Sequence, residues 1–252
     1  MSKIDDYRAI LRTLPDWDAY LLQESGLPGP RGNIELARAV AEEGDAVLFE
    51  RYLRFDAQQA PANSPYEFLA FCGALGLGKL LAGGDIGALP RLRAAASDAR
   101  WRTREAVAMA LQRWGAVAMD ALLIEMEAWS QATLLEQRAA AAGLCEPSLL
   151  REKAHAKQVL GILDTITGSL QGVEDRKQDG FRVLRKGLGY CWSVAVVAHP
   201  EQGKAMMERW LDSDDPDVRW IMRENLKKKR LARLDAYWVV ACRRRLEQRD
   251  PR

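Results

Sequence analysis

The residues best placed to do chemistry in this chain occur twice. Asp98-Ala99-Arg100-Trp101-Arg102-Thr103-Arg104-Glu105 returns 119 residues later as Asp217-Val218-Arg219-Trp220-Ile221-Met222-Arg223-Glu224. Side chains four apart lie on one face of a helix. Arg100 with Arg104, and Arg219 with Arg223 and Lys227, are therefore expected to form cationic stripes that suit an anionic surface. Trp101 and Trp220 beside them either cover the edge of a repeat or stack on a flat ligand such as a nucleobase. The alternative is structural. Repetition of the same side chains is itself what a structural role predicts.

A second cationic group lies near the end of the chain. Lys227-Lys228-Lys229-Arg230, Arg233 and Arg243-Arg244-Arg245 form its densest basic region. From Arg219 to Arg252 there are 12 Lys+Arg against 4 Asp+Glu, while the other residues hold 25 against 31. A basic end on a mildly acidic body suits either an anionic partner or a solvated cap. Phosphate contact there would give a steep salt dependence.

Other chemistries lack their residues. The two histidines, His155 and His199, and the scattered Cys72, Cys145, Cys191 and Cys242 give no zinc spacing. The cysteines sit in apolar helical contexts and are expected to be buried thiols of a reducing compartment. No Gly-x-Ser-x-Gly is present. Gly73-Ala74-Leu75-Gly76-Leu77-Gly78-Lys79 fails the phosphate-loop pattern, and its glycines suit a helix packed closely on its neighbours. Neither cofactor nor metal is expected. Asp164 stands out as a carboxylate in apolar surroundings, although a helix-end Asp explains it equally.

The elements that must position these residues are helices. Ala and Leu are abundant and no period-2 strand stands out, so the chain is expected to be all-α. Two short helices are expected over 3–24, broken near Pro15, and a loop over Gly26–Gly32 whose Arg31 could meet a ligand. Asn33 caps a helix through Glu43, and another runs from Ala46 to about Phe55. Ser64-Pro65 opens a nearly all-apolar helix from Tyr66 to Leu81, which belongs at the centre rather than the surface. Pairs follow: Ile86–Ala95 with Asp98–Trp114, then Ala116–Trp129 with Gln131–Cys145. Ser148–Ser169 makes one helix or two, Gln171–Gln178 a loop, Asp179–His199 and Glu201–Asp212 two more. Asp215–Lys229 and Ala232–Gln248 end the series. The spacing of the two octets is about three times the ~40-residue period of two-helix repeats.

Asp214-Asp215-Pro216-Asp217-Val218-Arg219 resembles the start of the second helix of a HEAT repeat, where Asp-Pro-x-Val-Arg follows a short turn. Asp215 can cap free amides, Pro216 suits the first turn, and Asp217 meets the positive helix end. The earlier copy has Ala96-Ser97 in place of Asp215-Pro216. Asp179-Gly180-Phe181-Arg182-Val183-Leu184-Arg185 is a weaker echo, and Arg138 is a remnant of one. The resemblance covers about 85–235 and, more faintly, 33–84. It implies a right-handed α-α superhelix of five or six HEAT-like helical hairpins, with the repeated Asp and Arg bridging neighbouring repeats as a ladder. In that arrangement 1–32 is a cap, 33–235 the repeats and 236–252 a basic helix.

The resemblance points to a non-catalytic scaffold whose concave face engages a macromolecular partner, most readily a protein. Arg100, Trp101, Arg104, Arg219, Trp220, Arg223 and Lys227 are the expected binding residues. One HEAT-like family, the alkylpurine DNA glycosylases, holds a cationic lesion with tryptophans, an arginine and a carboxylate. Candidate counterparts are Trp192, Trp101 or Trp220, Arg104, and Asp120 or Asp164, but none falls in a matching motif. That family supplies the second expectation, nucleic acid as partner. No segment is apolar over a membrane-spanning length, and the expected location is the cytoplasm.

Overall fold

The computed structural model describes residues 2–249. Met1 and 250–252, and with them the end of the basic helix expected over 236–252, lie outside the described residues. Among the described residues every regular element is helical, with fifteen α-helices, two short 3-10 turns and no strand. Among the described residues no helix is long and apolar enough to cross a membrane. The helices divide into two compact units, Met1–Val117 and Ala118–Arg252.

The first unit contains α1 (Lys3–Leu11), α2 (Asp18–Glu24), α3 (Ile34–Glu43), α4 (Ala46–Leu53), α5 (Pro65–Ala82), α6 (Leu89–Ala95) and α7 (Trp101–Gly115). Its starts follow capping chemistry. Asn33, Asp45 and Ser64 accept the amides of Leu36, Leu48 and Glu67, and Pro65 occupies the first turn of α5. The α5 helix is central as its composition predicts, buried from Glu67 to Gly78 and packed on α2, α3, α4, α6 and α7. Its glycines set the approach. A Cβ on Gly78 would lie 2.6 Å from the Ala110 Cα of α7, and one on Gly76 would lie 2.3 Å from the Phe49 ring of α4.

The second unit contains α8 (Met119–Trp129), α9 (Leu134–Leu144), α10 (Lys153–Ser169), α11 (Asp179–Ala198), α12 (Pro200–Leu211), α13 (Pro216–Leu226), α14 (Lys229–Leu234) and α15 (Ala236–Arg249). Here α11 takes the central place, packed on α9, α10, α12, α13 and α14. Asn225 of α13 is fully buried against it. The side chain accepts the Ser193 amide at 2.8 Å and donates to the Leu188 carbonyl at 2.8 Å, joining the two helices by polar contacts inside the core.

Both units share a packing rule. In the first, α1, α3, α5 and α7 each pack on the next of that series; in the second, α9, α11, α13 and α15 do. The intervening helices, apart from α2, which packs on α5, pair with their sequence neighbours, as in α4 with α5, α6 with α7, α8 with α9, α10 with α11 and α12 with α13. Sequential helices thus make hairpins, and alternate helices stack.

Several expected boundaries move: the helices expected from Ala116 and Gln131 begin at Met119 and Leu134, and the one expected to reach Lys229 ends at Leu226. The helix expected from Asp98 begins at Trp101. Asp98 accepts the Arg100 amide at 2.7 Å and the Arg100 guanidinium at 2.6 Å, holding a turn where the first helical residues were expected. The single helix expected over Ala232–Gln248 is two, broken at Asp235. That residue is extended, accepts the Trp238 amide as a new cap, and receives Lys204 at 2.6 Å. The stretch 148–169 holds one α-helix, which starts only at Lys153 and runs through Gly161 unbroken.

Candidate functional site

The two octets do not occupy equivalent places. Trp101 is the first residue of α7, whereas Trp220 is the fifth of α13, because Pro216 and the Asp215 cap start α13 one residue before the octet. The arginines that match in space are Arg104 and Arg219, each at the fourth position of its helix. Arg104 donates to the carbonyls of Asp98 and Ala99 at 2.8 and 3.1 Å. Arg219 donates to those of Ser213 and Asp214 at 2.8 and 2.9 Å. Each guanidinium thereby fastens the preceding turn to its own helix.

The first stripe is turned inward. Arg100 is 4% exposed and Arg104 6%. Arg100 is held by Asp98 and by the carbonyls of Phe55 and Ala60 at 2.9 and 3.2 Å. These contacts tie α7 to the connector after α4 and engage both guanidiniums with their own unit.

Trp101 is turned outward, 49% exposed. It stands beside a cavity of about 340 Å³ whose apolar lining comes from Leu27, Ile34, Phe68, Phe71 and Met109. Arg31 from the expected loop, with Glu105, adds charge to this lining. The lining helices α3, α5 and α7 all belong to the stacked series of the first unit.

Arg102, absent from the expected set, positions this tryptophan. Its guanidinium lies 4.5 Å from the centre of the Trp101 ring. It donates to Glu67 at 3.0 Å, to the Gly29 carbonyl at 2.7 Å and to Asn63 at 3.2 Å. Glu67 is fully buried in the first turn of α5. The signal for this pair was an acidic residue three positions after the Ser64 cap, a spacing that ordinarily describes a solvent-facing capping box.

In the second unit the octet supports a bridge between alternate helices. Asp217 of α13 receives Arg176 at 2.8 Å and approaches Arg185 of α11 at 2.7 Å. The Arg185 contact is an ion pair without hydrogen-bond alignment. Arg185 also covers the Trp220 ring at 3.8 Å, while a Cβ on Gly189 would lie 3.3 Å from the same ring. Trp220 is accordingly seated on α11. Asp215 caps the Asp217 and Val218 amides as its position predicts and binds Arg176 at 2.5 Å. Arg223 is half-buried, and Lys227 is exposed beside Glu224.

The remaining candidates separate. Trp192 is completely buried and donates to Thr167 at 3.0 Å. Asp120 is 87% exposed, 3.1 Å from His155. Asp164 is 30% exposed and accepts from the Trp210 indole at 2.7 Å and Arg209 at 3.3 Å. All four cysteines are free and buried. Burial pushes the Cys72 and Cys145 thiols well up, and that of Cys242 to about 11. No protein-family model, curated protein or solved structure matches the chain.

Proposed function

We propose that this chain is a non-catalytic binding protein of the HEAT type that holds a protein partner on the face of its alternate, stacked helices. The hairpin-and-stack packing supports the repeat reading, as do the Asp215-Pro216 start of α13 and the bridge from Arg185 to Asp217. The observation that carries the binding reading is Trp101. A half-exposed tryptophan beside an apolar cavity matches the anchor residues that dominate protein interfaces. A cavity of about 340 Å³ accommodates one large apolar side chain of a partner.

The test compares tagged wild-type protein with Trp101→Ala and with Tyr237→Ala, whose side chain is 92% exposed and outside the cavity lining. Proteins retained from lysate at high salt are identified for each. The reading requires a partner kept by wild type and Tyr237→Ala and lost by Trp101→Ala at unchanged Tm. Recovery of the same proteins by all three would overturn it.

The second reading, a DNA-binding relative of the alkylpurine glycosylases, active or silent, is favoured by Asp164 between Trp210 and Arg209. Its assay is release of methylated purine from alkylated DNA by wild type and Asp164→Asn. No release together with no salt-sensitive DNA binding removes it.

A further inference from the structure

Several cations of the second unit are neutralised by their neighbours. Arg176 pairs with Asp215 and Asp217, Lys204 with Asp235, Lys227 with Glu224, and Arg245 and Arg249 with Asp212. Lys228, Lys229, Arg230 and Arg233 differ. Among the described residues none of these four makes an ion pair. All four line one cavity of about 570 Å³, together with Leu150, Val194 and Val197, and no acidic residue lines it.

The arrangement has two parts. Leu150 and Val194 are each 3% exposed, Val197 is 38% exposed and Pro147 beside them is exposed, which makes an aliphatic floor open to solvent along one side. The cations come from the start and body of α14, against the end of α11. Arg230 is held in place: it donates to the Tyr190 hydroxyl at 2.5 Å, and its guanidinium lies 4.7 Å from the centre of that ring. Lys228 lies 5.8 Å from the same ring. Lys229 and Arg233 are exposed.

We propose that this cavity is a docking site for a linear acidic peptide segment. One aliphatic or aromatic side chain of the segment rests on Leu150, Val194 and Val197, and flanking carboxylates meet the four cations. Charge complementarity selects the anion, since four cations without counter-ions set up a local positive potential. The floor selects polypeptide over nucleic acid. Single-stranded nucleic acids bind where aromatic faces are offered to bases. The aromatic ring here, Tyr190, already has a guanidinium against it. This site and the one at Trp101 lie in different units, and the experiment below does not use Trp101, so the two proposals fail separately.

The experiment is fluorescence anisotropy with the full chain and four labelled probes. The first is a twelve-residue Glu/Asp peptide with a central Trp-Leu pair, and the second is the same peptide with Ser-Ser at its centre. The third is a twelve-nucleotide oligothymidylate, and the fourth is vesicles of phosphatidylserine in phosphatidylcholine. The first probe should bind, and removing its Trp-Leu centre should weaken it by about tenfold or more, a difference of about 1.4 kcal/mol. Lys229→Glu with Arg233→Glu should abolish binding, and Val197→Glu should weaken it by about tenfold. Lys157→Glu, exposed and outside the cavity lining, should leave it unchanged. Melting curves establish that each variant is folded.

Equal binding of the two peptides would overturn the proposal, as would preference for the oligonucleotide or the vesicles. So would binding that survives the double charge reversal, or no binding of any probe.

Discussion

Arg104 and Arg219 make the same contact in different octet positions. Each reaches back from the fourth residue of its helix to the carbonyls six and five residues earlier. Arg104→Ala should therefore destabilise the protein by about 2 kcal/mol, because two partly buried carbonyls lose a charged donor. Arg104→Lys should recover little of it, since an ammonium lacks the guanidinium fork. Urea denaturation of both variants, with a Trp101 variant as reference, checks this. An unchanged midpoint for Arg104→Ala would show that the carbonyls find water instead.

These two arginines also mark how far the sequence could be read. Helix starts with a strong local cap were legible: Asn33, Ser64-Pro65 and Asp215-Pro216 stand where they were expected. The apolar run of α5 revealed its central place. The register of the first octet was not legible, because Asp98 has two roles open to it. As a cap it would start the helix at once. Bonded to Arg100 instead, it makes a turn, and the helix begins at Trp101. The choice depends on the carbonyls of Phe55 and Ala60, 45 and 40 residues away in sequence, which draw Arg100 inward. Asp235 was missed for the reverse reason: a lone Asp in a basic helical stretch gives little local warning, and Lys204 of another helix helps fix it. Arg102 carries no local signal of its own, because its partner Glu67 lies 35 residues away at a position that ordinarily belongs to a capping box.

Asn225 should be the most sensitive polar residue of the second unit. Asn225→Leu keeps the volume but strands the Ser193 amide and the Leu188 carbonyl inside the core. A buried group left without its partner costs about 1–3 kcal/mol. Thermal unfolding should show a drop of several degrees. A change within error would mean that α11 recloses its own hydrogen bonds.

Two glycines in helices should respond oppositely. Gly78→Ala puts a methyl 2.6 Å from the Ala110 Cα, so α5 and α7 must separate, at about 1–3 kcal/mol. Gly161→Ala meets nothing within 4 Å and should stabilise α10 by about 0.5–1 kcal/mol. Chemical denaturation of the pair tests the packing of each helix directly. Two changes of the same sign would contradict it.

Acid should act through Asp215. Burial pushes this carboxyl up, but Arg176 and the Asp217 and Val218 amides outweigh it and hold it below the ordinary carboxylate value. A carboxylate depressed in the folded state contributes stability that is complete above its unfolded pKa, about 3.9. That contribution is lost as pH falls through the folded pKa. The Tm difference between wild type and Asp215→Asn should thus be constant from about pH 7 to pH 5 and shrink below about pH 4. A difference that grows on acidification would refute the assignment.

The thiols should be quiet. With all four buried, and Cys72, Cys145 and Cys242 pushed up by burial, a disulfide reagent at pH 8 should label the native protein very slowly. In denaturant it should label four equivalents at once. Fast labelling of one native thiol would reveal a local opening.

The four-residue offset between the octets has an evolutionary edge. Their shared side chains invite recombination between the two copies, yet a crossover there would join helices that begin at different points. The joined helix would gain or lose four residues at its start, about 6 Å of length, and every later side chain would turn by about 40° relative to the turn before it. Buried positions such as Asn225 would rotate away from their partners. Exchange at the matched arginines, Arg104 with Arg219, keeps the phase.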